Sequence, residues 1–251
     1  MKNFLFSNQI IYFSTLESTN DLALSFISEG KTEPCVIYAG YQSKGRGQLN
    51  ATWHTKAGEN VTASFLCFPT ALLATDLPLW SMASAVAVLE FLHQKGLPDL
   101  AIKWANDIYV GEQKIAGMLL ESKIVQNKVR GLVLGVGLNV NSKKFDNLNA
   151  CSMAMLMQKE YAIAQMVQEL AENVQKWFEI AQTKPAQIKP LYMQWLFRRN
   201  IFAQYLLAED DFQKPYTLKI TDVNKQGALC TIDENGKERT HEIKEIKFLF
   251  T

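Results

Sequence analysis

The sequence predicts an α+β fold, a mixed β-sheet flanked by helices and followed by a small all-β unit. Three patterns point there. Short apolar runs of strand length recur between residues 35 and 141, two long stretches carry apolar residues at helical spacing, and from about Ala203 onward only short strand-like runs remain. The expected division is a first domain over residues 1–202 and a second over residues 203–251.

The elements follow in chain order. Ser18-Thr19-Asn20-Asp21 offers capping side chains ahead of Leu22, Ala23, Phe26 and Ile27, and Gly30 marks the end of a short helix. Residues 35–39 form a brief apolar run of the buried-strand type, and residues 61–68 a second, across a polar stretch from Gln42 to Asn60. Pro78 opens a helical pattern through Met82, Val86, Leu89 and Phe91 that closes at Gly96-Leu97-Pro98. Three strand-like segments follow, at 101–110, 114–122 and 129–141, with Gly111-Glu112 a tight turn between the first two. A second long helix is predicted over 161–182, where Ile163, Met166, Val167, Leu170, Val174, Trp177 and Phe178 share one side. A further helical segment follows Pro190. Residues 216–221, 227–233 and 242–250 then read as strands, with Asn235-Gly236 a hairpin signal.

At 251 residues the chain can build one sizeable core and a small second domain. A formal net charge of +1 sets up no global field toward nucleic acid or an anionic membrane, so basic residues must act locally. Cys35, Cys67, Cys151 and Cys230 are scattered, with no C-x-x-C pair, which argues against structural zinc and for buried thiols in a reducing compartment. The N-terminal apolar run breaks too early for a signal peptide, and no apolar stretch reaches the roughly 18 residues of a membrane span. A cytoplasmic protein without membrane contact is expected.

Four segments could carry chemistry. In Gln42-Ser43-Lys44-Gly45-Arg46-Gly47-Gln48, alternate glycines let backbone N–H groups approach an anion, and Arg46 supplies a cationic fork. The spacing is neither that of a Walker loop nor that of a dinucleotide fingerprint. A solvated turn would carry the same residues. In Lys103-Trp104-Ala105-Asn106-Asp107 and Lys114-Ile115-Ala116-Gly117, a lysine amine could neutralise charge as an acyl phosphate forms. Asp107 could hold magnesium or orient Lys103, and Asn106 offers the donor and acceptor that an adenine edge needs. Gly135-Val136-Gly137-Leu138-Asn139 could admit a flat ring against the backbone, with Asn139 bonding to it. Trp53 could cover a nucleobase or serve as an ordinary core tryptophan. His54, His93 and His241 show no partner pattern.

Together these segments resemble the catalytic domain of the biotin–protein ligases. The resemblance runs through Glu17-Ser18-Thr19-Asn20, Tyr41-Gln42 to Gly45-Arg46-Gly47, Trp53, and Lys103-Trp104-x-Asn106-Asp107. It continues in Lys114-x-Ala116-Gly117-x-Leu119-x-Glu121 and Gly137-x-Asn139, and residues 222–229 are similar to that family's small C-terminal barrel. It implies a class II aminoacyl-tRNA synthetase-like sheet followed by a Src-homology-3-like barrel. It also implies ATP-dependent conversion of biotin to biotinyl-5′-AMP and transfer to a lysine of a biotin carboxyl carrier domain.

By this resemblance Ser18, Thr19, Asn20 and Gln42 bind biotin, while Gly45, Arg46, Gly47 and Gln48 close over its carboxylate and the α-phosphate. Lys114 is the main catalytic residue together with Arg46, and Lys114 and Gly117 also belong to the biotin-binding set. Lys103 and Asp107 serve the phosphates and Mg2+, and Trp53, Asn106 and Asn139 serve the adenine. The chain departs from the family pattern where Gln48, Leu49 and Asn50 replace an arginine-glycine continuation, and where Ala105 replaces a proline. Too few residues precede Glu17 for the helix-turn-helix that some relatives carry, so DNA binding is not expected. A homodimer is left open. The rival readings are a lipoate–protein ligase, a non-catalytic biotin or adenylate sensor, and a nucleic-acid-binding protein, the last disfavoured by the near-neutral charge.

Overall fold

The computed structural model describes residues 6, 9–48, 51–53, 56–146 and 148–250. Its larger sheet has seven strands: β1 (Ile10–Leu16), β2 (Cys35–Gln42), β3 (Val61–Cys67), β4 (Leu100–Lys103), β5 (Asp107–Val110), β6 (Gln113–Val125) and β7 (Lys128–Leu138). Their order is β1-β2-β3-β7-β6-β5-β4. β1 and β2 run parallel and the remaining neighbours antiparallel, so the sheet is mixed. The sequence does not predict β1. It is an edge strand whose apolar Ile10 and Tyr12 face solvent, so its residues show no apolar–polar alternation.

Side-chain alternation divides the sheet into two faces. Cys35, Ile37, Leu66 and Val133 point to one side and pack under α1 (Thr19–Ser28) through Leu22, Ala23, Phe26 and Ile27. Val36, Phe65, Leu134 and Val136 point to the other side, into the main core with α2 (Leu77–Gln94), α4 (Ile163–Thr183) and α5 (Ile188–Gln194). A short α3 (Met153–Met157) lies between β7 and α4. α1 begins where predicted because the Ser18 side chain accepts the Asp21 N–H, satisfying one of the free amides of the first turn. α5 starts before Pro190, which sits in the first turn, where its missing N–H costs nothing.

Two expectations need correction. The segment Ala74–Gln94 is long and apolar enough, by length and composition, to cross a membrane, because scattered polar residues do not offset its apolar majority. It is instead the core helix, with 61% of that window buried inside the protein. Residues 101–110, predicted as one strand, form a hairpin in which β4 and β5 pair with Lys103 opposite Asp107. Asn106 stops the run, since its carbonyl accepts the Met118 N–H and its side-chain amide donates to the Met118 carbonyl.

The C-terminal sheet is antiparallel, in the order β11-β10-β9-β8-β12. It comprises β8 (Phe202–Leu207), β9 (Pro215–Val223), β10 (Leu229–Asp233), β11 (Glu238–His241) and β12 (Ile246–Phe248). The predicted strand at 242–250 is interrupted, the chain turning at 242–245 before β12. Gly236, at φ +84°, supplies the left-handed residue that the Asn-Gly signal calls for. This sheet is tied to the larger one: Trp104 Nε1 donates to the Gly227 carbonyl at 2.9 Å. The backbone at Gly227 approaches Pro78 so closely that a Cβ there would lie 3.1 Å from the proline ring.

Candidate functional site

A cavity of about 520 Å³ opens on the α1 face of the sheet. Six separated stretches and Ala63 of β3 line it: residues 18–20, described residues of the loop between Gln42 and Trp53, 103–107, 114–119, 135–137, and the C-terminal stretch from Ile243 to Phe250. The strand pairing explains why. Gly117, Leu119 and Glu121 on β6 lie opposite Gly137, Gly135 and Val133 on β7, and alternation turns all of these toward the α1 side.

One end of the cavity is polar and neutral. Gln42 Oε1 accepts from the Thr19 N–H at 2.6 Å and the Thr19 hydroxyl at 3.0 Å. Ser64 Oγ, fully buried, lies 2.7 Å from Thr19 Oγ1 and 2.5 Å from Asn20 Oδ1. Gly135 is required here, because a Cβ would fall inside contact distance of the Asn20 amide.

Beside it the glycine–arginine loop folds back on itself. Trp53 N–H donates to the Gly45 carbonyl and Gly47 N–H to the Ala51 carbonyl. The Gly47 amide is therefore engaged inside the loop rather than offered to an anion, as the sequence suggested. Gly45 stands behind the loop, outside the cavity lining, where a Cβ would meet the Trp53 carbonyl at 2.5 Å. Arg46 reaches Glu121 with both terminal nitrogens and also contacts Asp21. Leu49, Asn50 and His54 lie outside the described residues.

The cations gather on the far wall. Lys114 Nζ is 2.7 Å from Asp107 Oδ1 and 5.7 Å from the Trp53 ring centroid. The absence of a side chain at Gly117 makes room for the Lys114 amine. Lys103 lies between the rings of Tyr109 and Phe248, at 5.6 and 4.7 Å from their centroids. Burial lowers its amine below the ordinary 10.5, Asp107 opposes that shift, and Lys114 adds to it. Trp53 covers Gly137, and its buried indole N–H has no partner among the described residues. Such an orphan donor beside a cavity is suited to a ligand acceptor.

Ser18, Thr19, Asn20, Gln42, Arg46, Gly47, Gln48, Trp53, Lys103, Asn106, Asp107, Lys114 and Gly117 thus all line one cavity. Asn139 does not. β7 ends at Leu138, and the buried Asn139 amide donates to the Cys151 carbonyl at 3.0 Å, tying the strand end to the following loop. Its expected contact with adenine has no counterpart in this geometry. The Asn106 amide, although in the cavity wall, donates to Met118.

His93 packs near Trp195 and His241 bonds Thr231 within the C-terminal sheet, both away from the cavity. Cys35, Cys67 and Cys151 are buried and all four thiols are free. Among the described residues, no group of three or more His, Cys, Asp or Glu could hold a metal. Two features were given no role from the sequence. Ile243, Lys244, Ile246, Lys247, Phe248 and Phe250 enter the wall from a distant part of the chain. Glu121 had its place in a motif but no role; its spacing from Gly117 and Leu119 marks it as sharing their face.

Residues 12–139 match the model of the biotin/lipoate A/B protein ligase family. The chain is 30% identical over 146 residues to the bifunctional ligase/repressor BirA of Bacillus subtilis, covering 58% of this chain and 45% of that protein. It is 34% identical over 128 residues to the biotin–[acetyl-CoA-carboxylase] ligase of Paracoccus denitrificans, covering 49% and 51% of the two chains. It therefore spans about half the length of the curated relatives it matches. The fold is that of the Aquifex aeolicus biotin protein ligase, solved in complex with biotin and ATP. The TM-score is 0.76 at 19% identity, over 97% of this chain and 99% of that one.

Proposed function

The chain belongs to the biotin/lipoate A/B protein ligase family, and from that premise we propose that it joins biotin to ATP as biotinyl-5′-AMP and passes the biotinyl group to a carrier-domain lysine. The observation that carries this is the convergence of Arg46, Lys103 and Lys114 on the same cavity as a neutral polar end. A carboxylate attacking a phosphate brings two anions together, which fixed cations in a partly dry site make feasible. The polar end favours biotin over lipoate. A ureido ring has N–H donors and a carbonyl for Thr19, Asn20 and Gln42 to recognise, with Ser64 behind them, whereas a dithiolane has no hydrogen-bonding group to match them.

In the proposed reaction a biotin carboxylate oxygen bonds to the α-phosphorus and the bond to pyrophosphate breaks. Lys114 neutralises charge on the carboxylate and α-phosphate, Asp107 steers its amine, and Arg46 covers the anhydride from the loop. Lys103 faces the remaining phosphates, and Trp53 offers its ring and N–H to the base. Asp107, the one carboxylate among the cavity-lining residues, would help hold a nucleotide-borne magnesium ion, whose chemistry there would be to offset charge on the leaving pyrophosphate. The carrier amine nitrogen then bonds to the acyl carbon, AMP leaves, and the amine loses a proton. Residues 1–202 are read as the catalytic domain and residues 203–251 as a barrel domain whose last strand completes the nucleotide wall.

ATP–pyrophosphate exchange, with biotin or lipoate as the activating acid, tests the reading. Exchange with biotin is expected; exchange only with lipoate would overturn the substrate, and none with either would leave a non-catalytic sensor. The Lys103 environment adds a pH prediction. Because its amine is held below 10.5, rising pH strips this cation earlier than it would a free lysine. kcat/KM for ATP should therefore fall on the alkaline side, and Lys103→Arg, which stays charged, should move that limb to higher pH. An alkaline limb identical in both enzymes would show that Lys103 does not set it.

A further inference from the structure

We infer that Glu121 is a positioning residue that couples the arginine loop to the polar end of the cavity, an inference that rests on the activity proposed for that site. Its two carboxylate oxygens take Arg46 side by side, Nη1–Oε1 at 3.1 Å and Nη2–Oε2 at 2.8 Å. Oε2 also accepts from Asn20 Nδ2 at 2.7 Å. Asn20 meets Ser64, Ser64 meets Thr19, and Thr19 holds Gln42. One continuous line of polar contacts therefore runs from the loop cation to the groups assigned to the biotin ring, and Glu121 is its node.

The node is on the rigid side of the contact. β6 is paired with β7 along this stretch, with Glu121 opposite Val133, whereas Arg46 belongs to a loop closed mainly upon itself. A parallel carboxylate–guanidinium pair fixes the plane of the arginine as well as its place. Arg46 has a second carboxylate, Asp21 Oδ1, 2.6 Å from Nη2. Glu121 engages two of the five guanidinium N–H groups, one on each terminal nitrogen, while Asp21 contributes an ion pair, leaving the other N–H groups for an incoming anion. The Asp21 side chain is 55% exposed and that of Glu121 25%. A substrate carboxylate or phosphate would therefore displace Asp21 first, and Glu121 keeps Arg46 aimed once Asp21 has let go.

Two variants separate the two halves of this role. Glu121→Gln keeps an oxygen for Asn20 but loses the charged fork to Arg46; Glu121→Ala loses both. With the full chain, biotin-dependent exchange gives the KM for biotin, and gel filtration of enzyme loaded with labelled ATP and biotin gives adenylate release. Glu121→Gln is expected to release adenylate about 10-fold faster with the KM for biotin within about two-fold of wild type. Glu121→Ala is expected to raise that KM about 5-fold or more as well. In an Arg46→Met background, Glu121→Gln should have no further effect on release. A purely structural role would lower the amount of folded enzyme without moving either quantity, so a Glu121→Gln enzyme with wild-type release overturns the inference. Equal acceleration in the Arg46→Met background overturns it too. Wild-type enzyme that exchanges only with lipoate overturns the biotin assignment alone, since the variants are then read with lipoate. Wild-type enzyme inactive with both acids removes the proposed function and this inference together.

Discussion

Replacing Lys114 by alanine is expected to slow biotin-dependent pyrophosphate exchange by about 10³-fold, with an unchanged fold. Its amine is the cation nearest both Trp53 and Asp107 in the cavity. A unit charge about 4 Å from an anion is worth about 4 kcal/mol at an effective dielectric of about 20, and one such cation removed at the point where charge develops accounts for the loss. The variant also leaves the Asp107 carboxylate facing the phosphates uncompensated, which adds repulsion. Stability should fall by about 1–3 kcal/mol without loss of the fold, because the Lys114 and Asp107 side chains are only 31% and 18% exposed and the variant leaves Asp107 without its partner. Asp107→Asn serves as the control, retaining the Lys114 charge while releasing its tether, and should cost less. Exchange at the wild-type rate in Lys114→Ala, measured alongside its thermal unfolding, would remove Lys114 from the mechanism.

Much of the site could be read along the chain because its signals are local. Ser18 caps a helix and thereby places Thr19 and Asn20; Gly111 makes a hairpin that sets Lys114 at the start of β6; Gly135 and Gly137 sit on one face by alternation. What escaped was set by tertiary contact. The chain reverses at residues 104–106 because Asn106 captures Met118, twelve residues away, and no propensity marks that event. Gly47 could equally have presented its amide to an anion, and only the partner at Ala51 decides otherwise. Asn139 follows the right motif, yet β7 ends one residue earlier and its amide turns to Cys151. The wall from Ile243 to Phe250 is supplied by a separate sheet whose docking rests on contacts such as Trp104 with Gly227. Apolar runs and caps report on local structure; they carry no record of which distant strand completes a cavity.

The glycine at 137 is where sequence and site meet most directly, and it carries the second large prediction. A Cβ there would fall well inside contact distance of three atoms of the Trp53 indole. Either the strand or the tryptophan must yield. Gly137 is paired on both sides, to Thr62 on β3 and Gly117 on β6, in the middle of the sheet, whereas Trp53 stands at the end of a loop. The indole should therefore move, and with it the N–H and ring face proposed to receive the base. Gly137→Ala is expected to raise the KM for ATP about 10-fold or more, in line with about 1–3 kcal/mol of lost stacking. The KM for biotin should change little, because the polar end is held by Thr19, Asn20 and Ser64. If the strand yielded instead, overpacking would lower stability by about 1–3 kcal/mol and both KM values would rise. Thermal unfolding measured with the two KM values separates the cases, and an ATP KM at the wild-type level would show that Trp53 does not hold the nucleotide.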